Sequence, residues 1–301
     1  MDFYKQKDFG QLISAPFIFF GKEFKPLITG LLVFIGPFIL TEYVLTNLFH
    51  FQSAESISAQ LQNLGNGNFT GTLFIMLLIS FFQNVMLYTY ISAYIKTLSQ
   101  EGFGNVEIQQ VWSEMKRVYW PNTGGLFLGS IIIVIGLFLI ILPGIYLAVA
   151  LYPLFAIIIF ENKGAVQSIS RSLELIKGNW WLAFGLLIIM GIILISLVAV
   201  LTLFFQNLYA IIATGTSLFV LNSVTNSLLD VLSSVFFIST PIFLYGHLIA
   251  LNEQPELVNR ISEISDAEDI TDSEKGETQN EDSGRDRLIN DSDTDRFKPK
   301  F

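Results

Sequence analysis

The stretch that decides the fold is LFLGSIIIVIGLFLIILPGIYLAVALYPLFAIIIF, residues 126–160, which contains no charged side chain. A helix needs about 20 apolar residues to cross the hydrocarbon layer of a membrane, which is about 30 Å thick. At a rise of about 1.5 Å per residue, this stretch is too long for one crossing. Pro143 and Gly144 stand at its centre, where a helix breaks most readily. The stretch therefore predicts a tight hairpin of two spans, 124–142 and 144–160.

Four other apolar segments are each long enough to cross the same layer once. We predict that they form spans at 26–48, 73–95, 182–205 and 228–251. The predicted fold class is therefore all-α, a polytopic bundle of six transmembrane helices within a membrane domain at residues 1–251. Segment 208–225 is richer in Thr, Ser and Asn than the spans, so we predict a helix at the outer face there. A seventh span in this segment is the alternative.

The positions of the basic residues indicate the orientation. Residues 1–251 hold 10 Lys and Arg, and with six spans all of them lie on the side of the N-terminus. Cytoplasmic loops of membrane proteins carry such an excess, so we predict that both termini are cytoplasmic. Residues 252–301 hold 7 basic and 15 acidic residues. With little apolar content to bury, this segment is predicted to be a disordered acidic tail.

A short amphipathic helix is predicted at the cytoplasmic interface before spans 1, 3 and 5. The apolar faces of these helices are Ile13, Phe17 and Phe20, then Ile108, Val111, Met115 and Val118, then Val166, Ile169, Leu173 and Ile176. Basic and aromatic side chains beside the second and third helices are typical of residues that contact lipid head groups. These predicted interfacial contacts are Lys116, Arg117, Arg171, Lys177, Trp180 and Trp181. The alternative is that the basic residues only orient the bundle.

Polar side chains follow one face of span 2 and one face of span 6. An ionisable residue inside a membrane suggests a functional site, and Asp230 is the main candidate. Packed together, the two stripes would line a pocket for a lipid head group or a small polar solute. Hydrogen bonding between helices is the alternative. The candidate pocket residues are Ser80, Gln83, Asn84, Tyr88, Asn226 and Asp230.

The residue inventory argues against catalysis. The chain has no cysteine and two histidines, His50 and His247. With six spans, these histidines lie at opposite faces of the membrane, so they cannot share a metal ion or a catalytic triad. We therefore predict no catalytic residue, no metal site and no cofactor.

The sequence at 152–187, YPLFAIIIFENKGAVQSISRSLELIKGNWWLAFGLL, resembles a signature of bacterial six-helix membrane proteins. The opening DFGQLISAPFIFFGKEFKPLI, residues 8–28, is similar to the entry helix of the same family. These proteins are related to the membrane domain of glycerophosphoryl diester phosphodiesterases. The resemblance implies a location in the bacterial inner membrane. It does not imply phosphodiester hydrolysis, because that chemistry resides in a separate soluble barrel that this sequence lacks.

The function predicted from these observations is that of a non-enzymatic accessory or scaffold component of a membrane complex. Its expected partners are the lipid bilayer and a membrane or cytoplasmic protein, and not nucleic acid. The alternative is a carrier or binder of a lipid or small polar solute through the polar stripes of spans 2 and 6.

Overall fold

The computed structural model describes residues 3–48, 71–139, 141–212 and 214–252, and all regular structure in these ranges is helical. This confirms the predicted all-α class for the described part. The helices are α1 (Phe9–Phe34), α2 (Gly36–Leu48), α3 (Gly71–Glu101), α4 (Ile108–Leu139), α5 (Ile141–Ala150), α6 (Leu154–Glu161), α7 (Ala165–Leu175), α8 (Trp180–Ile212) and α9 (Gly215–Asn252).

Four described segments are long and apolar enough to cross a membrane, which is the composition of a multi-pass membrane protein. They are Ile108–Phe138, Ile141–Glu161, Trp180–Ile212 and Val220–Asn252. The predicted spans 26–48 and 73–95 lie in helices too, but these helices are not among the four. The described chain forms one compact unit, Met1–Ile249, and a second unit begins at Ala250. The predicted acidic tail lies outside the described residues except for Asn252.

α1 begins at a capping box and bends twice before the chain enters α2. The Asp8 side chain accepts the Gln11 N–H at 2.7 Å, and the Gln11 side chain accepts the Asp8 N–H at 3.3 Å. The first bend is at Glu23, whose φ of −106° and ψ of 17° are not helical. The second is at Ile35, between α1 and α2. Pro37 lies in the first turn of α2, where its missing N–H costs no helical hydrogen bond.

The hairpin of α4 and α5 turns earlier than predicted. α4 ends at Leu139 and α5 begins at Ile141, so Pro143 and Gly144 lie in the first turn of α5 and not at the break. Proline is tolerated in a first helical turn. Gly144 instead allows close packing, because a Cβ there would lie 2.5 Å from the Leu137 backbone nitrogen.

The predicted amphipathic helices pack against the protein. The first two are the N-terminal parts of α1 and α4 and not separate helices. The third is a separate helix, α7, but its buried residues include Ser168 and Ser172, and Val166 is 70% exposed. Ser172 Oγ donates to the Ala150 carbonyl oxygen at 2.6 Å. Small hydroxyl side chains thus hold α7 close to its neighbours.

Segment 208–225 is neither a separate outer helix nor a separate seventh span in the described structure. Its first residues complete α8, which ends at Ile212, and the others begin α9 at Gly215. The Tyr209 and Thr225 hydroxyls are 2.7 Å apart and hydrogen-bonded, which joins the two helices near this connection. The predicted span at 228–251 is therefore part of one longer helix.

The bundle has a buried core and, elsewhere, a large outward-facing apolar surface. Buried large side chains gather where α1, α3, α6 and α9 meet, and they include Phe19, Tyr90, Tyr94, Ile157 and Phe243. Apolar side chains elsewhere point outward, for example Phe138 at the end of α4, which is 93% exposed. Helices that are apolar around much of their circumference are typical of membrane spans.

Candidate functional site

The predicted polar stripes lie at two separate places. Asn84 is exposed, and its side chain donates to the Ser80 carbonyl oxygen within α3 at 2.8 Å. Tyr88 lines a central cavity, whereas Asp230 lines a groove between α8 and α9. The remaining members, which line neither space, are Ser80, Gln83 and Asn226. The prediction that these residues bind a ligand stays a prediction, and the two spaces must be considered one at a time.

The central cavity has a volume of about 250 Å³ and walls from α3, α4, α5, α6, α8 and α9. Two glycines of α4, Gly125 and Gly129, form part of its wall. A Cβ on Gly125 would lie 2.7 Å from Ile158 Cδ1, so the Ile158 side chain packs against the bare backbone of α4 at this position. Most of the remaining wall is apolar, including Ile133, Leu154, Phe155 and Leu187.

Tyr152 provides the main polar feature of the central cavity. Its ring contacts the Phe237 ring at 6.0 Å between centroids. Its hydroxyl is buried and makes no hydrogen bond of good geometry with the described residues. The Thr240 hydroxyl is a hydrogen-bonding neighbour of poorer geometry, and it donates its own proton to the Phe236 carbonyl oxygen at 2.7 Å. A buried hydroxyl without a well-formed hydrogen bond is costly, so an acceptor on a bound molecule would stabilise this site.

A chain of ion pairs joins α3, α4 and the end of α6. Lys96 Nζ lies 3.2 Å from Glu114 Oε2. Arg117 also pairs with Glu114 and donates to the Asn162 side chain. Burial lowers the pKa of the Lys96 ammonium, and the hydrogen bond that Lys96 donates to Glu114 opposes this shift. The pairing with Glu114 therefore favours the charged form of this largely buried lysine.

Glu161 is the centre of a second group at the same end of α6. It pairs with Lys163 and with Arg171, whose Nε lies 3.2 Å from Glu161 Oε1. The Tyr245 hydroxyl of α9 donates to the same oxygen at 3.3 Å. One carboxylate thus joins α6, α7 and α9.

Replacement of Glu161 by glutamine is expected to lower the free energy of unfolding by about 1–2 kcal/mol. The carboxylate side chain is 16% exposed, so its pairs lie between fully buried and surface ion pairs in strength. Denaturant unfolding in mixed micelles measures the effect. Glu174→Gln, at an exposed position of α7, is the control and should be neutral. Equal stability of the two variants would contradict a structural role for the Glu161 group.

The predicted head-group contacts divide into two sets. Arg117 and Arg171 are engaged in the ion pairs described above. Trp180 Nε1 donates to the Tyr146 carbonyl oxygen at 3.3 Å, and the two rings stack. The remaining residues of the set are exposed: Lys116, Lys177 and Trp181. For these, contact with lipid stays a prediction.

Glu23 is a buried polar residue that the sequence did not single out. It is 1% exposed and lies at the bend of α1. Tyr94 Oη donates to Glu23 Oε2 at 2.7 Å, and the Gly104 backbone N–H donates to Glu23 Oε1 at 2.8 Å. In the sequence, Glu23 stands between Lys22 and Lys25 and so looks like part of an exposed charged run. The one usable signal was GFGN at 102–105, whose two glycines indicate a turn.

No group of three or more potential metal ligands occurs in the described ranges. The fold and its cavities define a class: an all-helical protein with helices able to cross a membrane. No family of known proteins, no curated protein and no solved structure matches this chain. The resemblance to the six-helix family therefore stays a prediction that rests on the sequence at 8–28 and 152–187.

Proposed function

We propose that this chain is a non-enzymatic multi-pass membrane protein that binds one chain of a membrane lipid in its central cavity. The observation that carries the proposal is a mainly apolar cavity of about 250 Å³ with the buried Tyr152 hydroxyl, which makes no well-formed hydrogen bond, in its wall. Apolar cavities of about 150 Å³ stay dry and bind benzene. The larger cavity of this protein has room for a longer apolar group, such as part of a lipid chain. The phenol favours a lipid whose chain carries a carbonyl or ether oxygen.

The proposal places the protein in the bacterial inner membrane with six spans and both termini in the cytoplasm. Two observations support this placement. Long apolar helices occur in the described structure. The basic residues Lys96, Arg117, Lys163 and Arg171 take part in the two ion-paired groups around Glu114 and Glu161. A basic excess at one face is typical of the cytoplasmic side.

The proposed orientation is tested with a reporter fused after Phe301. We expect an enzyme that is active only in the cytoplasm to be active in this fusion, and one that is active only in the periplasm to be silent. Activity of the periplasmic reporter would overturn the six-span arrangement with a cytoplasmic C-terminus.

The lipid site is tested by filling the cavity. Ala148→Phe adds a ring at the cavity wall, so we expect loss of the lipid that native mass spectrometry detects on the gently solubilised wild-type protein. Leu142→Phe is the matched control, because Leu142 is exposed and does not line the cavity. Tyr152→Phe removes only the donor and should weaken retention by about threefold to tenfold. Equal lipid retention by Ala148→Phe and wild type would contradict the proposal.

An accessory role in a membrane complex is the second proposed function. The observation that favours it is the outward apolar surface of α8, which is available to a partner helix. Its exposed residues include Ile192, Ile195, Val200, Leu203 and Phe204. A photoreactive residue at position 203, which does not line a cavity, should crosslink to a protein in native membranes. Crosslinks to lipid alone would contradict this second function and leave the lipid site unaffected.

A further inference from the structure

A second space lies between α8 and α9, and Phe237 lines both this space and the central cavity. Its volume is about 480 Å³, and it is lined mainly by apolar residues. Gly191, Leu194, Ile195, Val198 and Ala199 of α8 form one wall. The polar residues are all on α9: Asp230, Ser233 and Ser234.

The Asp230 carboxylate has no partner among the described residues. The two neighbouring hydroxyls do not serve it, because Ser233 and Ser234 donate to the Asp230 backbone carbonyl oxygen at 2.9 and 2.8 Å. α8 and α9 contain no lysine or arginine. The described basic side chains that form ion pairs bind Glu114 or Glu161 instead. Any cation that neutralises Asp230 in this groove must therefore come from outside these two helices.

Asp230 lies near the outer end of the predicted span 228–251, and it is exposed in the structure. It is about 22 Å along the helix axis from Tyr245, at about 1.5 Å per residue. Tyr245 contacts the ion-paired group around Glu161. With that group at the cytoplasmic boundary of a hydrocarbon layer about 30 Å thick, Asp230 lies in the outer part of the layer. This step rests on the proposed membrane placement and not on the lipid site.

We propose that the groove beside Asp230 binds a lipophilic cation, an ammonium or similar group on an apolar body. The carboxylate pairs with the positive charge, and the apolar residues beside it strengthen this attraction relative to open water. The α8 residues of the groove contact the apolar body, and Phe237, which also lines the groove, supplies an aromatic ring of the kind that attracts cations. An anion of the same size is repelled by the carboxylate. A neutral molecule gains only the apolar contact.

Binding of radiolabelled tetraphenylphosphonium to the full-length protein in nanodiscs tests the proposal, with empty nanodiscs as background. We expect saturable binding to the wild type and at least a tenfold weaker affinity for Asp230→Asn. Asp230→Glu keeps the charge and should bind within about threefold of wild type. Glu107→Gln, which removes an exposed carboxylate outside the groove, should bind as wild type. Ala199→Trp fills the groove and should abolish binding although the charge remains.

Two results would overturn the proposal: equal affinity of Asp230→Asn and wild type, or equally tight binding of the anion tetraphenylborate. The lipid composition of the nanodiscs distinguishes two sources of the natural cation. Weaker binding in nanodiscs that contain phosphatidylethanolamine than in phosphatidylglycerol nanodiscs supports an aminophospholipid head group as the occupant. Unchanged binding supports a free lipophilic amine. Lipid retention in the central cavity should be the same in Asp230→Asn and wild type, so failure at one site is distinguishable from failure at the other.

Discussion

Glu23→Ala is expected to lower the free energy of unfolding by about 3 kcal/mol, the largest effect of a polar substitution in the described structure. The alanine leaves the Gly104 N–H and the Tyr94 hydroxyl without their acceptor. It also removes the contact that joins the bend of α1 to α3 and to the loop after α3. Denaturant unfolding in mixed micelles measures the change.

Three further variants show whether the lost hydrogen bonds cause this effect. Glu107→Ala, at an exposed position in the connection before α4, should change stability by less than about 0.5 kcal/mol. Glu23→Gln keeps an oxygen that accepts from Gly104 and should cost less than Glu23→Ala. In a double-mutant cycle, Tyr94→Phe should cost less in the Glu23→Ala background than in wild type. Additive effects would exclude the Glu23–Tyr94 hydrogen bond as a contributor.

Gly30→Ala is expected to destabilise the protein by about 2–3 kcal/mol, a large effect for one added methyl group. A Cβ at this position would lie 2.1 Å from Tyr90 Oη and 2.6 Å from Tyr90 Cζ. The tyrosine has little room to move, because it is fully buried and its hydroxyl donates to the Leu27 carbonyl oxygen at 2.9 Å. The same unfolding measurement detects the loss.

Gly21→Ala is the matched control for this prediction. Gly21 lies in the same helix, and a Cβ there meets nothing within 4 Å. Alanine has a higher helix propensity than glycine, so this variant should be neutral or slightly more stable. The cost of Gly30→Ala should also shrink when Tyr90 is replaced by leucine. A destabilised Gly21→Ala variant would show that helix α1 is sensitive to any substitution, and the specific clash would lose its support.

The lengths of the apolar segments predict roughly where the helices lie, but they do not predict the residues at which the helices begin and end. Within the stretch at 126–160, α4 ends at Leu139 and α5 begins at Ile141, whereas the break was predicted at Pro143 and Gly144. Both residue types stop helices in general, but proline is also accepted in a first turn and glycine also permits close contact between helices. The partner surface decides between these roles, and it is not visible in the local sequence.

The predicted site residues do not gather in one place. Tyr88 and Asp230 each line a space in the structure, but the two spaces are separate, and ligand binding by these residues stays a prediction. Helical periodicity places residues on one face of a helix and does not tell which helix that face meets. Tyr152 was missed because it lies within an apolar stretch, and Glu23 was missed because it lies within a charged run that is typical of an exposed segment. Their importance comes from neighbours far away in the chain.

The sequence by itself determined the helical class and the presence of segments able to cross a membrane, because these follow from the cost of placing unpaired backbone groups in hydrocarbon. It also determined that α8 and α9 contain no basic counter-ion for Asp230. Only the tertiary structure decided which polar groups meet. Hydrogen bonds and ion pairs act over a few ångströms, so the Glu23–Gly104 contact, the group around Glu161 and the burial of the Tyr152 hydroxyl exist only once the helices are packed.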